Sequence, residues 1–119
     1  MKLINLTPHT IVLDNERGER FVYPSQGVAR VSSTPGLAML SGGDEPIPVD
    51  IYKAPTWGAV EGLPAPEPGI WYLVSALVAQ RLEGQGRRDV VSPGTGPNDG
   101  AIRENGQIIA VTRLIQAPQ

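Results

Sequence analysis

The chain contains no cysteine. That excludes disulfide bonds, thiolate catalysis and thiolate metal sites. A single histidine, His9, excludes a histidine-rich metal site within one protomer. Aromatic side chains are scarce, with one phenylalanine, two tryptophans and three tyrosines. The formal charge is only −2, so no broad attraction to DNA or to a membrane surface is expected. No apolar run approaches a membrane-spanning length. The start, Met1 to His9, has neither the apolar core nor the cleavage pattern of a secretory signal, so a cytoplasmic protein is expected. A length of 119 residues suits one domain, 1–119, around one core.

Glycine and proline are plentiful, at 14 and 12 residues. Scattered between short apolar runs, they predict many turns and short strands. Ile70 to Val74 is the most continuous apolar run and predicts a central, doubly covered strand. Ser75 then reads as a helix N-cap. Ala76 to Glu83 reads as a short helix with Leu77, Val78 and Leu82 as its apolar stripe, and Gly84 as its left-handed stop.

Before this centre, Leu3 to Leu13 alternates around Thr7-Pro8-His9. Pro8 cannot donate to a ladder and marks an edge or a bulge. Asp14 to Gly18 is a turn, Glu19 to Tyr23 a returning strand and Val28 to Val31 a third, which together predict an antiparallel meander. Ser32 to Pro48 reads as a long loop, with at most a helical turn at Leu37 to Leu40. Val49 to Tyr52 and Trp57 to Val60 read as strands, and Pro64 to Gly69 as a stiff extended link. After the helix, Asp89 to Val91 is a short strand. Asn105-Gly106 is a hairpin turn. Gln107 to Leu114 is the last strand, and Ala117 to Gln119 a frayed tail. The predicted fold class is α+β: a mainly antiparallel sheet of short strands with one short helix packed on it. Such a sheet leaves edges to cover, so a homo-oligomer is expected.

Three segments carry a resemblance. They are Asn5-Leu6-Thr7-Pro8-His9, the stretch Tyr72 to Ala79, and Ser92-Pro93-Gly94-Thr95-Gly96-Pro97 ahead of an isoleucine-rich last strand. Together they resemble a family of small phage and prophage proteins, over nearly the whole chain. The resemblance implies a viral or prophage origin, and so the cytoplasm of an infected host, but no mechanism. In related chains an acidic residue is expected where Gly94 stands.

The loop Pro93 to Gly100 offers backbone N–H groups, the Thr95 hydroxyl, the Asn98 amide and the Asp99 carboxylate within eight residues. With Gly96 for close approach, it reads either as a rigid strand connection or as a cradle for an anionic or sugar-bearing ligand. It lacks the lysine of a Walker phosphate loop. Arg87, Arg88 and Arg103 flank it, and guanidinium forks suit phosphate. Ser75 and His9 add further polar groups, while Trp71 or Tyr72 is available for a base to stack on. Adjacent strand residues point to opposite faces, so those two cannot share one. His9 reads as a general base or as a structural histidine, with no nucleophile motif beside it. Asp89 and Asp99 form a weak carboxylate pair. No cofactor or metal is implied.

These features predict a protein that sequesters a nucleotide-derived immune signal. The alternative is a protein–protein module that inhibits a host enzyme or assists phage assembly. A nucleotide hydrolase acting through His9 or Asp99 ranks third.

Overall fold

The computed structural model describes residues 1–39 and 48–119. The strands in chain order are β1 (Lys2–Asn5), β2 (Ile11–Asp14), β3 (Arg20–Tyr23), β4 (Arg30–Thr34), β5 (Ala38–Met39), β6 (Ile51–Tyr52), β7 (Thr56–Glu61) and β8 (Ile70–Leu73). The helix α1 (Ala76–Gln80) follows, then β9 (Val90–Pro93), β10 (Ile102–Glu104), β11 (Gln107–Ala110) and β12 (Leu114–Gln116). The fold is therefore mainly β, which corrects the expected α+β class. The physical reason is strand and helix length. Glycine and proline interrupt the chain so often that the longest described strand has six residues and the helix five. The ladders consequently divide into one four-stranded sheet and four two-stranded ones.

The main sheet has the order β1-β8-β9-β12. β8 is its centre, as its apolar run predicts, but both its neighbours are parallel to it. The meander expected at the start does not form, because β1 leaves the hairpin and pairs with β8. The hairpin itself is β2–β3, whose ends are tied by the Arg20–Asp14 ion pair at 2.8 Å. At its other edge β2 meets the last segment, where Val111 N donates to Val12 O at 2.9 Å.

One face of the main sheet carries the core. Tyr72, Val74 and Val90 pack there with Leu6, Ala29 and Ala117, and with Val78, Ala79 and Leu82 from the helix and the turn after it. Ser75 caps the helix as predicted, its Oγ accepting from Val78 N at 3.3 Å. Leu77 departs from the predicted stripe and is 40% exposed. Gly84 has φ +82°, the left-handed stop the sequence calls for. The tail is not frayed: Ala117 is buried and its N–H donates to Val90 O at 2.9 Å.

The segment read as one long loop is partly strand. β4 pairs with β7, and β5 with β6, in an arm whose inner end reaches the core through Val31 and Val60. Met39 belongs to β5, so the helical turn proposed at Leu37 to Leu40 is absent where the chain is described; Leu40 lies outside the described residues. The single predicted strand Gln107 to Leu114 is two, β11 and β12, each pairing with a different partner. Among the described residues no helix is long and apolar enough to cross a membrane.

At the amino end of β9, Arg87 grips Asp89 through one guanidinium edge, Nε and Nη2, at 3.0 and 2.9 Å. Its fork also reaches Pro64 O at 2.9 Å, which ties the proline-rich link to the sheet. The hydrogen bonds from Arg87 hold the Asp89 carboxyl below its ordinary value of 3.8. A depressed carboxyl stabilises the fold above its unfolded value and loses that contribution as pH falls through the folded one. Urea unfolding should therefore show a smaller wild-type advantage over Asp89→Asn at pH 2.5 than at pH 7. An equal difference at both values would show that the pair contributes nothing to the acid response.

Candidate functional site

β1, β8 and β9 run parallel, so their carboxyl ends open on one side of the sheet. The chain leaves those ends as Thr7-Pro8-His9, as Ser75, and as Gly94-Thr95-Gly96. The crevice beyond such strand ends is a common ligand position in open parallel sheets, because loops and helix starts converge there. Three depressions adjoin in this region, and Pro93 and Thr95 line all of them. One of 340 Å³ lies between Gln80, Gly96, Asp99 and Gln116. One of 380 Å³ lies between His9, Ser75 and Ala76. The third, of 140 Å³, runs between β2 and β11.

The segment Asn5 to His9 is built on a buried amide. The Asn5 side chain is fully buried. Its Nδ2 donates to His9 O and to Tyr23 O, each at 2.8 Å. Its Oδ1 accepts from Thr7 N at 2.9 Å and lies 2.7 Å from Thr7 Oγ1. One side chain thus bends the chain at Pro8, joins β1 to β3 and sets His9 at the crevice rim. The motif has a structural cause, since a buried amide must satisfy both ends. The His9 imidazole is exposed and makes no hydrogen bond among the described residues.

The glycine-rich loop is also self-bonded. Gly96 N donates to Asp99 Oδ2 at 2.8 Å, and Asp99 N donates back to Gly96 O at 3.1 Å. Thr112 Oγ1 lies 3.0 Å from Gly100 O and anchors the loop's end. Arg103 Nη2 donates to Thr95 O at 3.2 Å, which places its guanidinium beside the loop. Gly94 is buried, and its N–H donates to Arg113 O at 2.9 Å. A β-carbon at Gly94 would stand 2.9 Å from Arg113 O and 2.7 Å from Arg113 Cγ. An acidic side chain at position 94 would therefore require the segment around Arg113 to sit further out than it does here.

His9, Ser75 and Thr95 line one depression, and Thr95, Gly96 and Asp99 the adjoining one, with Arg103 bonded to the Thr95 carbonyl and Asn98 exposed in the turn. Arg87 and Arg88 line none of the three depressions. They precede β9 whereas Thr95 follows it, a separation on the order of 15 Å along the strand. Arg87 is engaged by Asp89, and the Arg88 carbonyl accepts from Gln116 Nε2 at 2.8 Å. Trp71 lies on the sheet face opposite Tyr72. There it lines a separate apolar hollow of 410 Å³ with Leu3, Leu13, Tyr23, Val91 and Leu114. The Asp89–Asp99 pair is split in the same way, one residue at each end of β9.

Sequence reasoning missed Thr7, Gln80 and Gln116. Gln80 lies four residues after Ala76, one helical turn on, so the predicted helix already placed it on the same face. Gln116 comes from a strand whose pairing no local signal reveals.

The crevice offers a free imidazole, the proton of the Ser75 hydroxyl, the Thr95 hydroxyl, the Gln80 amide and a guanidinium. That set hydrogen-bonds hydroxyl and anionic oxygen atoms. Among the described residues no group of three His, Asp or Glu side chains is placed to hold a metal ion. No protein-family model, curated protein or solved structure matches the chain.

Proposed function

We propose that this chain is a phage-encoded protein that binds and sequesters a nucleotide-derived signal of the host's immune systems. The ligand lies in the crevice at the carboxyl ends of β1, β8 and β9. The observation that supports this reading is the convergence of His9, Ser75 and Thr95, from three separate strand ends, on one depression whose lining is otherwise largely apolar. Arg103 supplies positive charge beside it for a phosphate, and the hydroxyl and amide groups suit a ribose. Storage rather than turnover is the reading because no nucleophile motif stands beside His9, and Asp99 Oδ2 and Ser75 Oγ each take a structural bond, from Gly96 N and Val78 N. The setting is the cytoplasm of the infected cell.

Native mass spectrometry of the purified protein, alone and with cyclic nucleotides and ADP-ribose derivatives, tests this reading. A retained adduct of defined stoichiometry supports it. A spectrum without any adduct removes it.

The second reading, a module for a host or phage protein, draws on one observation. The outer end of the β4–β7 arm exposes Leu37, Met39, Ile51 and Tyr52. A stoichiometric protein partner co-purifying from host lysate, lost on Ile51→Asp, would favour that reading over the first.

A further inference from the structure

Asparagine is chemically the least durable side chain this cysteine-free protein carries in number. The main-chain nitrogen of the following residue can attack the side-chain amide carbon and close a five-membered succinimide ring. That needs a side chain free to turn, a following N–H that is not bonded, and little bulk on the following residue. The chain has four asparagines, Asn5, Asn15, Asn98 and Asn105. The fold treats them differently.

Three are held. Asn5 is fully buried with its amide bonded at both ends, and Leu6 N donates to Leu73 O at 2.7 Å. Asn15 is exposed, but its Oδ1 accepts from Arg17 N at 2.9 Å and Glu19 N at 3.0 Å, and its Nδ2 donates to Glu19 Oε1 at 3.2 Å. Asn98 is exposed, but Asp99 N donates to Gly96 O at 3.1 Å. The Asp99 carboxylate also opposes loss of a proton from that nitrogen, since like charges close together repel.

Asn105 meets every requirement. It is exposed, and among the described residues neither its side chain nor the Gly106 N–H makes a hydrogen bond. Gly106 carries no side chain, and the space where one would stand is open. The two residues form the tip of the β10–β11 hairpin, with Glu104 opposite Gln107 and φ of +52° and +80°.

We propose that Asn105 is the site at which this protein deamidates spontaneously, and that the isoaspartyl product opens the β10–β11 turn. The Gly106 nitrogen forms a bond to Asn105 Cγ, the Cγ–Nδ2 bond breaks, and ammonia leaves with the proton from Gly106 N. Water then opens the ring on either side. Breaking the bond from nitrogen to Cγ gives aspartate and restores the main chain. Breaking the bond from nitrogen to the main-chain carbonyl carbon gives isoaspartate, in which the chain runs through Cβ and Cγ. Both products add one negative charge to a formal charge of −2. Only the second lengthens the main chain, and a two-residue turn with positive φ at both positions has no room for an extra carbon. β10 carries Arg103, which bonds Thr95 O at 3.2 Å, so the change acts on the strand beside the glycine-rich loop. The reaction needs no ligand in the crevice and stands apart from the proposed function.

Trypsin separates the sites. Residues 104–113 carry Asn105 alone, 89–103 carry Asn98, and 3–17 carry Asn5 and Asn15. The full chain, folded and in urea, is held in mildly alkaline buffer, and the three peptides are followed by mass spectrometry. Peptide 104–113 should convert at a similar rate in both samples, to aspartyl and isoaspartyl forms. Peptides 89–103 and 3–17 should convert several-fold more slowly in the folded protein than in urea. Folding that protects Asn105 as strongly as it protects Asn98 and Asn15 would overturn the assignment. Asn105→Asp supplies the charge without the longer main chain. Hydrogen exchange over residues 102–110 should be faster in the isoaspartyl protein than in Asn105→Asp, and equal exchange would overturn the opened turn.

Discussion

Asn5→Asp should lower the unfolding free energy at pH 7 by about 3 to 5 kcal/mol, the cost of an uncompensated charge in a buried site. The change alters no volume. It replaces two donated hydrogen bonds, to His9 O and Tyr23 O, with a carboxylate oxygen facing two carbonyl oxygens. Burial and those oxygens disfavour the ionised form, so the new carboxyl titrates above its ordinary range. The loss should shrink as pH falls and the acid becomes neutral, because a protonated oxygen can donate to one carbonyl again. Asn5→Ala should cost less, since it leaves polar groups unpaired but buries no charge. Urea midpoints of the three proteins at pH 7 and pH 4 give the comparison. Equal stability of Asn5→Asp and wild type would show that the Asn5-to-His9 segment is not held by this amide.

Leu82→Ala should cost about 2 to 5 kcal/mol, as for other large-to-small changes in a closed core. Leu82 is 2% exposed and lies just beyond a helix of five residues. A helix that short has no stability of its own. Val78, Ala79 and Leu82 hold it to Tyr72, Val74 and Val90. Removing Leu82 should therefore also loosen Ser75 and Gln80, and weaken ligand binding along with the fold. Leu77→Ala, on the exposed side, should stay within about 0.5 kcal/mol of wild type. Thermal unfolding of both variants separates the two cases, and similar losses would contradict the observed orientation of the helix.

Local features were legible in the sequence because their causes are local. The N-cap at Ser75, the stop at Gly84 and the Asn105-Gly106 turn, with φ of +52° and +80°, each depend on a few adjacent residues. The β2–β3 hairpin was legible for the same reason. The pairing of β1 with β8 was not, because nothing in Lys2–Asn5 distinguishes a parallel partner 68 residues away from an antiparallel one nearby. The α+β expectation failed on the length of the helix, five residues in a chain otherwise built of short strands. The site divides along the same line. Thr95, Gly96 and Asp99 were found through loop composition, and their closeness to His9 and Ser75 follows from the parallel order of three strands. Arg87 and Arg88 are near the loop in sequence, but an extended strand carries its two ends apart.

That division gives the central claim its sharpest test. Isothermal titration of wild type, Arg103→Ala and Arg88→Ala with cyclic nucleotides and ADP-ribose derivatives compares a guanidinium beside the crevice with one at the far end of β9. Arg103→Ala should weaken binding by about 1.5 to 3 kcal/mol, the worth of a hydrogen bond to a charged group, or roughly 10- to 150-fold. Arg88→Ala should bind as wild type does. A wild type that binds none of these compounds, or an Arg88→Ala loss as large as that of Arg103→Ala, would contradict that claim.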